Sequence, residues 1–368
     1  MTVNNIELKN FRNYSDCFVN FSDGVNVIVG DNAQGKTNLL EAVFYLTGGK
    51  SFRTRFDKEL ICFNDETALI KSDIFSDGRN QKIEVRLSTN GRKQIFANGV
   101  RLKTASELSG KLTAVLFCPD DLYIIKEGAS ARRRLMNICI SQLRPRYVTL
   151  LSEYNRILEN KTRILRDWRE KPSLLDTLDD FSYELSKYSA EIIYYRAHFI
   201  KKLSKFASEI HNEFSGGKEK LDVYYKTVKT VDDPLAKSPS EIFGQVLDHA
   251  MSHRKAEIES GLCLSGAHKD DLEILINGNA AKTFASQGQT RTAALSLKLA
   301  EREIHFEDKN EYPVLLLDDV LSELDPLRQD FILNKIKGGQ IFITCCEDRQ
   351  ITEKTGGRIL HVEKGEII

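Results

Sequence analysis

The stretch GDNAQGKT, Gly30 to Thr37, narrows the possible folds more than any other part of this 368-residue chain. It fits the spacing G-x-x-x-x-G-K-[ST]. VNVIV (Val25 to Val29) before it reads as a buried strand, and the run Asn38 to Leu46 after it has helical apolar spacing. The glycines let the chain turn so that backbone N–H groups face inward, Lys36 brings a positive charge to the outer phosphates of a nucleotide, and the helix N-terminus adds a favourable dipole beneath them. Thr37 is then the expected ligand of Mg2+. A plain glycine turn between a strand and a helix is the alternative.

Two further stretches extend this reading. VLLLDD (Val314 to Asp319) has the form of a buried parallel strand that delivers carboxylates at its C-terminal end. Asp318 is placed to support Mg2+ across from Thr37 through a coordinated water, and Asp319 to orient or deprotonate the attacking water; helix capping is the blander role for both. In FASQGQTRTAALSLKLA, Ser286 begins a glycine-containing turn that runs into a long helix, so Ser286, Gly288 and the first helical N–H groups form a second anion site. One nucleotide does not need both grips from one subunit. The economical reading is two subunits, each closing its serine turn over the nucleotide held by the other.

Composition removes several classes. The 53 basic and 53 acidic residues cancel, so a polyanion partner requires a local patch. Seven cysteines, odd in number and without C-x-x-C spacing, suggest neither a disulfide framework nor a zinc site. The start MTVNNIELKNF has no basic region followed by an apolar stretch, and no segment approaches the roughly 18 uninterrupted apolar residues of a membrane span, so a cytoplasmic chain with no membrane partner is expected.

Short alternating strands are expected in VNNIELKNF, SDCFVNF, TALIKSDIF and KIEVRLS, with turns at Asn90-Gly91 and Asn98-Gly99. From about Pro145 apolar residues recur at heptad-like steps, Leu151, Tyr154, Leu158, Leu165 and Trp168, with Lys161 breaking the stripe. Leu178, Phe181, Leu185, Tyr188, Ile192, Tyr195 and Phe199 form a cleaner second run after the turn signal REKPS. This pattern predicts an antiparallel helical hairpin, either a projecting arm or an ordinary helical subdomain. Strands return in LDVYYKTV and DDLEILING, and a helix follows from Ser286 to about Phe306.

Taken in order, Gly30 to Thr37, SQGQ (Ser286 to Gln289), LLLDD (Leu315 to Asp319) and SELD (Ser322 to Asp325) resemble the Walker A, signature, Walker B and D-loop motifs of ABC-type head ATPases. LKNFRNY (Leu8 to Tyr14), GKSFR (Gly49 to Arg53), CPDDL (Cys118 to Leu122), RRRLMN (Arg132 to Asn137), GAHKDDL (Gly266 to Leu272) and FASQGQTR (Phe284 to Arg291) narrow the resemblance to the RecF family of bacterial recombination mediators. The resemblance implies an α/β fold: an ABC-type ATPase head with a P-loop, a mixed sheet with helices and a strand-rich lobe, and an inserted antiparallel helical arm. Its parts are residues 1–122 (head, Walker A), 123–217 (arm) and 218–368 (head; signature, Walker B and D-loop).

It implies ATP and Mg2+ as cofactors. Gly30, Asp31, Asn32, Ala33, Gln34, Gly35, Lys36, Thr37 and Asn38 would bind ATP; Lys36, Asp318 and Asp319 would be catalytic; Thr37 and Asp318 would hold the metal. Ser286, Gln287, Gly288 and Gln289 would act on the nucleotide of a second subunit, with Ser322 and Asp325 in the D-loop. The implied activity is ATP-driven dimerisation with slow hydrolysis, and DNA binding at gaps and single/double-strand junctions. The implied partners are RecR and RecO, and indirectly RecA and single-strand binding protein, in DNA repair and the SOS response. The chain departs from the family at Ala267 and Lys269, where Pro and Arg are usual, and at Cys345 and Cys346, where threonines are. Asp319 stands where transporter ATPases have glutamate, and their switch histidine is missing.

Arg132, Arg133, Arg134, Arg144 and Arg146 form the first candidate for DNA contact. Arg92, Lys93, Arg101 and Lys103, and Lys201, Lys202 and Lys205, are weaker candidates, because charge runs on helices are usually solvated faces. His268 beside Asp270 and Asp271 lacks a second histidine at ligand spacing, which favours a structural role or a place near the dimer seam over a metal. The competing functions are another SMC-like repair ATPase, a small-molecule P-loop kinase, which leaves SQGQ and SELD without a task, and a transporter ATPase, which the arm disfavours.

Overall fold

Runs of apolar residues that leave no polar face must be covered on both sides, and four of them meet in one sheet. Its order is Glu366–Ile367, Arg358–Glu363, Val25–Val29, Ile341–Cys345, Val314–Leu317, Ala114–Phe117. All neighbours are parallel except the first pair. The polar member of VNVIV, Asn26, is fully buried but satisfied: its amide exchanges hydrogen bonds with the backbone N–H and C=O of Ser22 at 2.8 and 2.9 Å. The register sets Val29 opposite Cys345 and Leu317 opposite Ile343, so Gly30, Asp318 and Cys346 all leave the sheet at its carboxyl edge, where open parallel sheets bind ligands. The computed structural model describes residues 1–321, 324–336, 338–346 and 354–368.

A second, seven-stranded antiparallel sheet is built from the alternating stretches near the N-terminus, Thr2–Val3, Asn5–Phe11, Tyr14–Asn20, Thr67–Ser76, Arg79–Ser88, Gln94–Ala97 and Val100–Arg101. Asn98 and Gly99 both have positive φ (51° and 78°), the requirement of a tight hairpin turn matched to strand twist. Both sheets belong to one compact unit, Met1–Asp121 with Leu297–Ile368.

The second unit is Leu122–Ser296, so residues 218–296, grouped with the head on motif order, fall within it. The expected hairpin is there as Pro145–Asp167 and Leu178–Phe214. The buried residues of its first helix are Tyr147, Leu150, Tyr154, Ile157, Lys161, Ile164 and Leu165; Tyr154 and Leu165 are shared with the stripe read in the sequence, the others are shifted from it, and Lys161 lies among them. A third helix, Pro239–Ser260, packs on Leu178–Phe214 and explains why. Its Glu257 meets Lys161 at 2.7 Å, with both side chains almost wholly buried. The sequence carried signals for this helix that the strand reading passed over: Pro239 at the first position, a Ser238/Glu241 capping box, and Gly261 at the end with φ 70°.

The expected strands LDVYYKTV and DDLEILING become Leu221–Lys226 and Asp271–Ile276, paired antiparallel in a three-stranded sheet with Asn279–Ala280. The loop before the second strand is anchored by Asp270. This fully buried carboxylate accepts from Arg196 (2.6 Å), Tyr225 (2.5 Å) and Thr227 (2.7 Å), while Arg196 also donates to the Ala267 carbonyl at 2.6 Å. GAHKDDL is therefore a buried polar knot that fixes strand to helix.

Candidate functional site

The loop Gly30–Gly35 is shaped by contacts its glycines permit. A Cβ on Gly30 would lie 2.3 Å from the Val362 carbonyl oxygen. Gly35 has φ 124°, and a Cβ there would meet the Asn13 side chain at 2.8 Å. Tyr14 donates to the Gly35 carbonyl at 3.0 Å, Asn13 to that of Gln34 at 2.8 Å, and the Lys364 backbone N–H to the Gln34 side chain at 2.7 Å. These contacts give LKNFRNY a physical task that spacing did not reveal. Its Arg12 clamps the fully buried Glu41, on the helix Lys36–Tyr45, through two hydrogen bonds of 2.8 and 2.9 Å. From GKSFR, Arg53 donates to Asn38 at 2.7 Å, and Asn38 donates to Asn13 at 2.8 Å.

Inside the loop, the buried Lys36 ammonium donates to the carbonyls of Gly30 (2.6 Å) and Asp31 (3.1 Å) and lies 3.6 Å from the Cys346 sulfur. Thr37 donates to Asp318 Oδ1 at 2.8 Å, so the phosphate loop and the carboxylate strand meet directly. Thr344, on the strand between them, lies 3.0 Å from the same oxygen, and its Oγ1 accepts from the Asp319 N–H at 2.8 Å. Sequence reading missed Thr344 as a site residue. Its signal is its place near the end of the apolar run IFIT, beside the strand carrying the aspartates.

Burial pushes the Asp318 carboxyl above its ordinary pKa, against the hydrogen bonds from Thr37 and Thr344 that pull it down; the neighbouring Asp319 pushes it further up. Asp319 has φ 52°, which turns the chain sharply after the strand. The site fits the groups the sequence implies: a side-chain-free cradle at Gly30 and Gly35, a buried cation at the loop, and two hard oxygen donors held together at Thr37 and Asp318.

Asp325 caps the helix Pro326–Lys335 by accepting from the Arg328 N–H, whereas Ser322 lies outside the described residues. Ser286–Gln289 belongs to the second unit and opens the helix Gln287–Lys309. Its first turn is a capping box: Gln289 N–H donates to Ser286 Oγ at 3.2 Å, and the Gln289 side chain accepts from the Ser286 N–H at 2.9 Å. Ser286 and Gln287 are exposed, with Gly288 and Gln289 between exposed and buried.

The arginine cluster divides. Arg132 is buried, doubly bonded to Asp271 at 2.6 and 2.9 Å, and Arg133 donates to the Asp270 carbonyl at 2.8 Å. Arg134, Arg144 and Arg146 are exposed, the last loosely paired with Glu191 at 3.3 Å. Lys93 is tied to Asp57 and Tyr45, each at 3.0 Å, while Arg92, Arg101, Lys103, Lys201, Lys202 and Lys205 lie at the surface. His268 sits 2.7 Å from the Tyr154 hydroxyl and 3.0 Å from the Cys263 carbonyl; burial lowers its pKa to about 4, so it is a neutral structural residue at pH 7. Among the described residues, no cluster of three His, Cys, Asp or Glu side chains could hold a metal ion, and no helix is long and apolar enough to cross a membrane.

A phosphate cradle after a central parallel strand, facing a carboxylate delivered by a second parallel strand, in a mixed α/β fold with a strand-rich lobe, defines an ABC-type ATPase head. The family described as RecF/RecN/SMC N terminal domain matches residues 2–366. A DNA replication and repair protein RecF from Acetivibrio thermocellus is 40% identical over 362 residues, 98% of each chain. The solved structure of the recombination mediator protein RecF with ATPrS in the RecFOR pathway superposes with a TM-score of 0.93 at 37% identity, covering 100% of this chain and 97% of that one. The form with ATP gives 0.90 at 37% identity, covering 100% and 96%. The chain belongs to the RecF/RecN/SMC N-terminal domain family and, within it, to the RecF proteins.

Proposed function

We propose that this chain is an ATP-dependent DNA-binding protein of replication and repair, a recombination mediator whose heads pair on ATP and part on hydrolysis. The observation that carries the reading is the 2.8 Å contact between Thr37 and Asp318 beside the buried Lys36, joined to full-length likeness to RecF structures with ATP and ATPrS. Gly30 to Asn38 enclose the phosphates, Lys36 exchanges its carbonyl partners for phosphate oxygens, and Thr37 with Asp318 holds Mg2+. The metal supplies charge neutralisation at the β- and γ-phosphates. Asp319 orients the attacking water; its side chain is one methylene shorter than glutamate, which makes turnover slow. Asp325 and Ser322 contribute the D-loop.

The second half of the site comes from another copy: Ser286, Gln287, Gly288 and Gln289 present a capped helix N-terminus to the γ-phosphate held by the partner. Binding energy realised only in the closed pair makes ATP a clamp. Arg134, Arg144 and Arg146 lie on the proposed DNA surface, with Arg132 and Arg133 supporting it from beneath. Phosphate contacts are indifferent to base sequence, which suits recognition of gaps and single/double-strand junctions. RecR and RecO are the proposed direct partners in loading RecA, and the location is the cytoplasm. The test is binding to gapped, duplex and single-stranded DNA with and without ATP across a salt series. Tight, salt-sensitive binding that requires ATP supports the reading; ATP turnover raised by a metabolite and indifferent to DNA refutes it.

A further inference from the structure

The turn Ser286–Gln289 does not stand alone. Besides capping Ser286, the Gln289 side chain donates from Nε2 to Glu219 Oε1 at 2.8 Å. The other oxygen of that carboxylate, Oε2, lies 3.2 Å from His211 Nε2. His211 is fully buried in the last turn of the long helix Leu178–Phe214, and its Nδ1 faces Ser296 Oγ at 3.3 Å, on the same helix that the serine turn opens. Burial lowers the His211 pKa against the pull of Glu219, and because a carboxylate only accepts, Nε2 is the donor in the contact with Glu219.

The chain is bent to deliver Glu219 there. After Phe214 the helix stops at Ser215, and Gly216 and Gly217 follow with φ 60° and 79°, left-handed values that L side chains rarely adopt. Ser215 then fixes the backbone of Glu219: its hydroxyl accepts from the Glu219 N–H at 3.1 Å and lies 3.3 Å from the Glu219 carbonyl oxygen. The carboxylate is only partly exposed, at 23%, and both of its oxygens are engaged.

We infer that Glu219 is a positioning residue for the serine turn: by bridging His211 of the long arm helix and Gln289, it holds the Ser286 capping box in the geometry that grips a phosphate. The inference rests on reading Ser286–Gln289 as the grip on a partner's nucleotide, and it ties that grip to the arm. A shift of the arm helix end relative to Glu219 loosens Gln289, and with it the orientation of Ser286.

Glu219→Ala tests this in the full chain. Losing the support of one cap is a tenfold effect, about the size of a cap substitution, so in the nucleotide-free protein the Gln289 and Thr290 amides should exchange hydrogen about tenfold faster. Because a closed dimer uses two such turns, the dissociation constant of the dimer formed with the β,γ-imido analogue of ATP should rise about a hundredfold, with analogue binding to the monomer unchanged. Glu219→Gln keeps one acceptor oxygen and should fall between the two. Glu219→Ala and Gln289→Ala should be non-additive in a double-mutant cycle.

Unchanged amide exchange overturns the inference. Faster exchange with parental dimerisation overturns it too, reducing Glu219 to a clip with no bearing on closure. Ser286→Arg separates the two levels: if that variant dimerises normally, the reading of the turn as a phosphate grip fails, whatever Glu219 does to exchange.

Discussion

Removing Lys161 should damage the helical unit out of proportion to the atoms deleted. Its ammonium and the Glu257 carboxylate are 2.7 Å apart and almost inaccessible to water. At an effective dielectric of about 20, that separation corresponds to about 6 kcal/mol of attraction, offsetting the several kcal/mol needed to strip each ion of water. Lys161→Met fits the apolar stripe but leaves Glu257 buried without its cation, held by neutral donors such as the Leu264 N–H at 2.7 Å. The cost should be about 3–5 kcal/mol, whereas Lys161→Met with Glu257→Leu should return to within about 1 kcal/mol of the parent or exceed it. The assay is built in. Trp168, the one tryptophan of the chain, donates to the Ile258 carbonyl at 3.2 Å, next to Glu257, so its fluorescence during urea denaturation reports the docking of these helices. If Lys161→Met loses less than about 1 kcal/mol, the pair does not hold the unit together and the reasoning about its burial is wrong.

Lys36→Ala should lose tight ATP binding. Asp319→Asn should keep it, slow turnover and accumulate the dimer; parental turnover in that variant contradicts the role given to Asp319. Alanine at Arg134, Arg144 and Arg146 should weaken DNA binding alike on all sequences and flatten the salt dependence by about 0.9 in log–log slope for each phosphate no longer neutralised, while Arg132→Ala should lower thermal stability, since it strands Asp271. Because burial raises the Asp318 pKa, the folded head binds this proton more tightly than the unfolded chain does. Its contribution to stability is therefore full below the ordinary aspartate value of 3.8 and is lost as pH rises through the folded pKa. Metal binding needs the ionised carboxylate, so the Mg2+-dependent gain in ATP affinity should grow over the same rise, and titration calorimetry at several pH values would detect its absence.

The phosphate-loop half of the proposed site was legible because its pattern is local. A glycine loop between a strand and a helix announces itself within one stretch, and the paired aspartates follow one apolar run. What could not be read were partners set by distant register. Thr344 reaches Asp318 only because Ile341–Cys345 inserts between the P-loop strand and the aspartate strand. Arg12 and Asn13 acquire their tasks only when the N-terminal hairpin meets the loop. Lys161 broke the apolar stripe because its neutralising partner lies in a third helix that the strand reading missed. The arginine run failed to separate by sequence for a related reason: Arg132 and Arg134 are two positions apart on one helix, so one faces the core and the other water.

The proposed function depends on two copies completing each other's nucleotide site. Sedimentation velocity with the β,γ-imido analogue of ATP, run on Ser286→Arg alone, Lys36→Ala alone and their mixture, addresses this directly. Each variant alone should stay monomeric, and the mixture should form a heterodimer, because the intact loop of one copy meets the intact serine turn of the other. Dimerisation of Ser286→Arg by itself, or a mixture as inert as its components, would contradict the shared site.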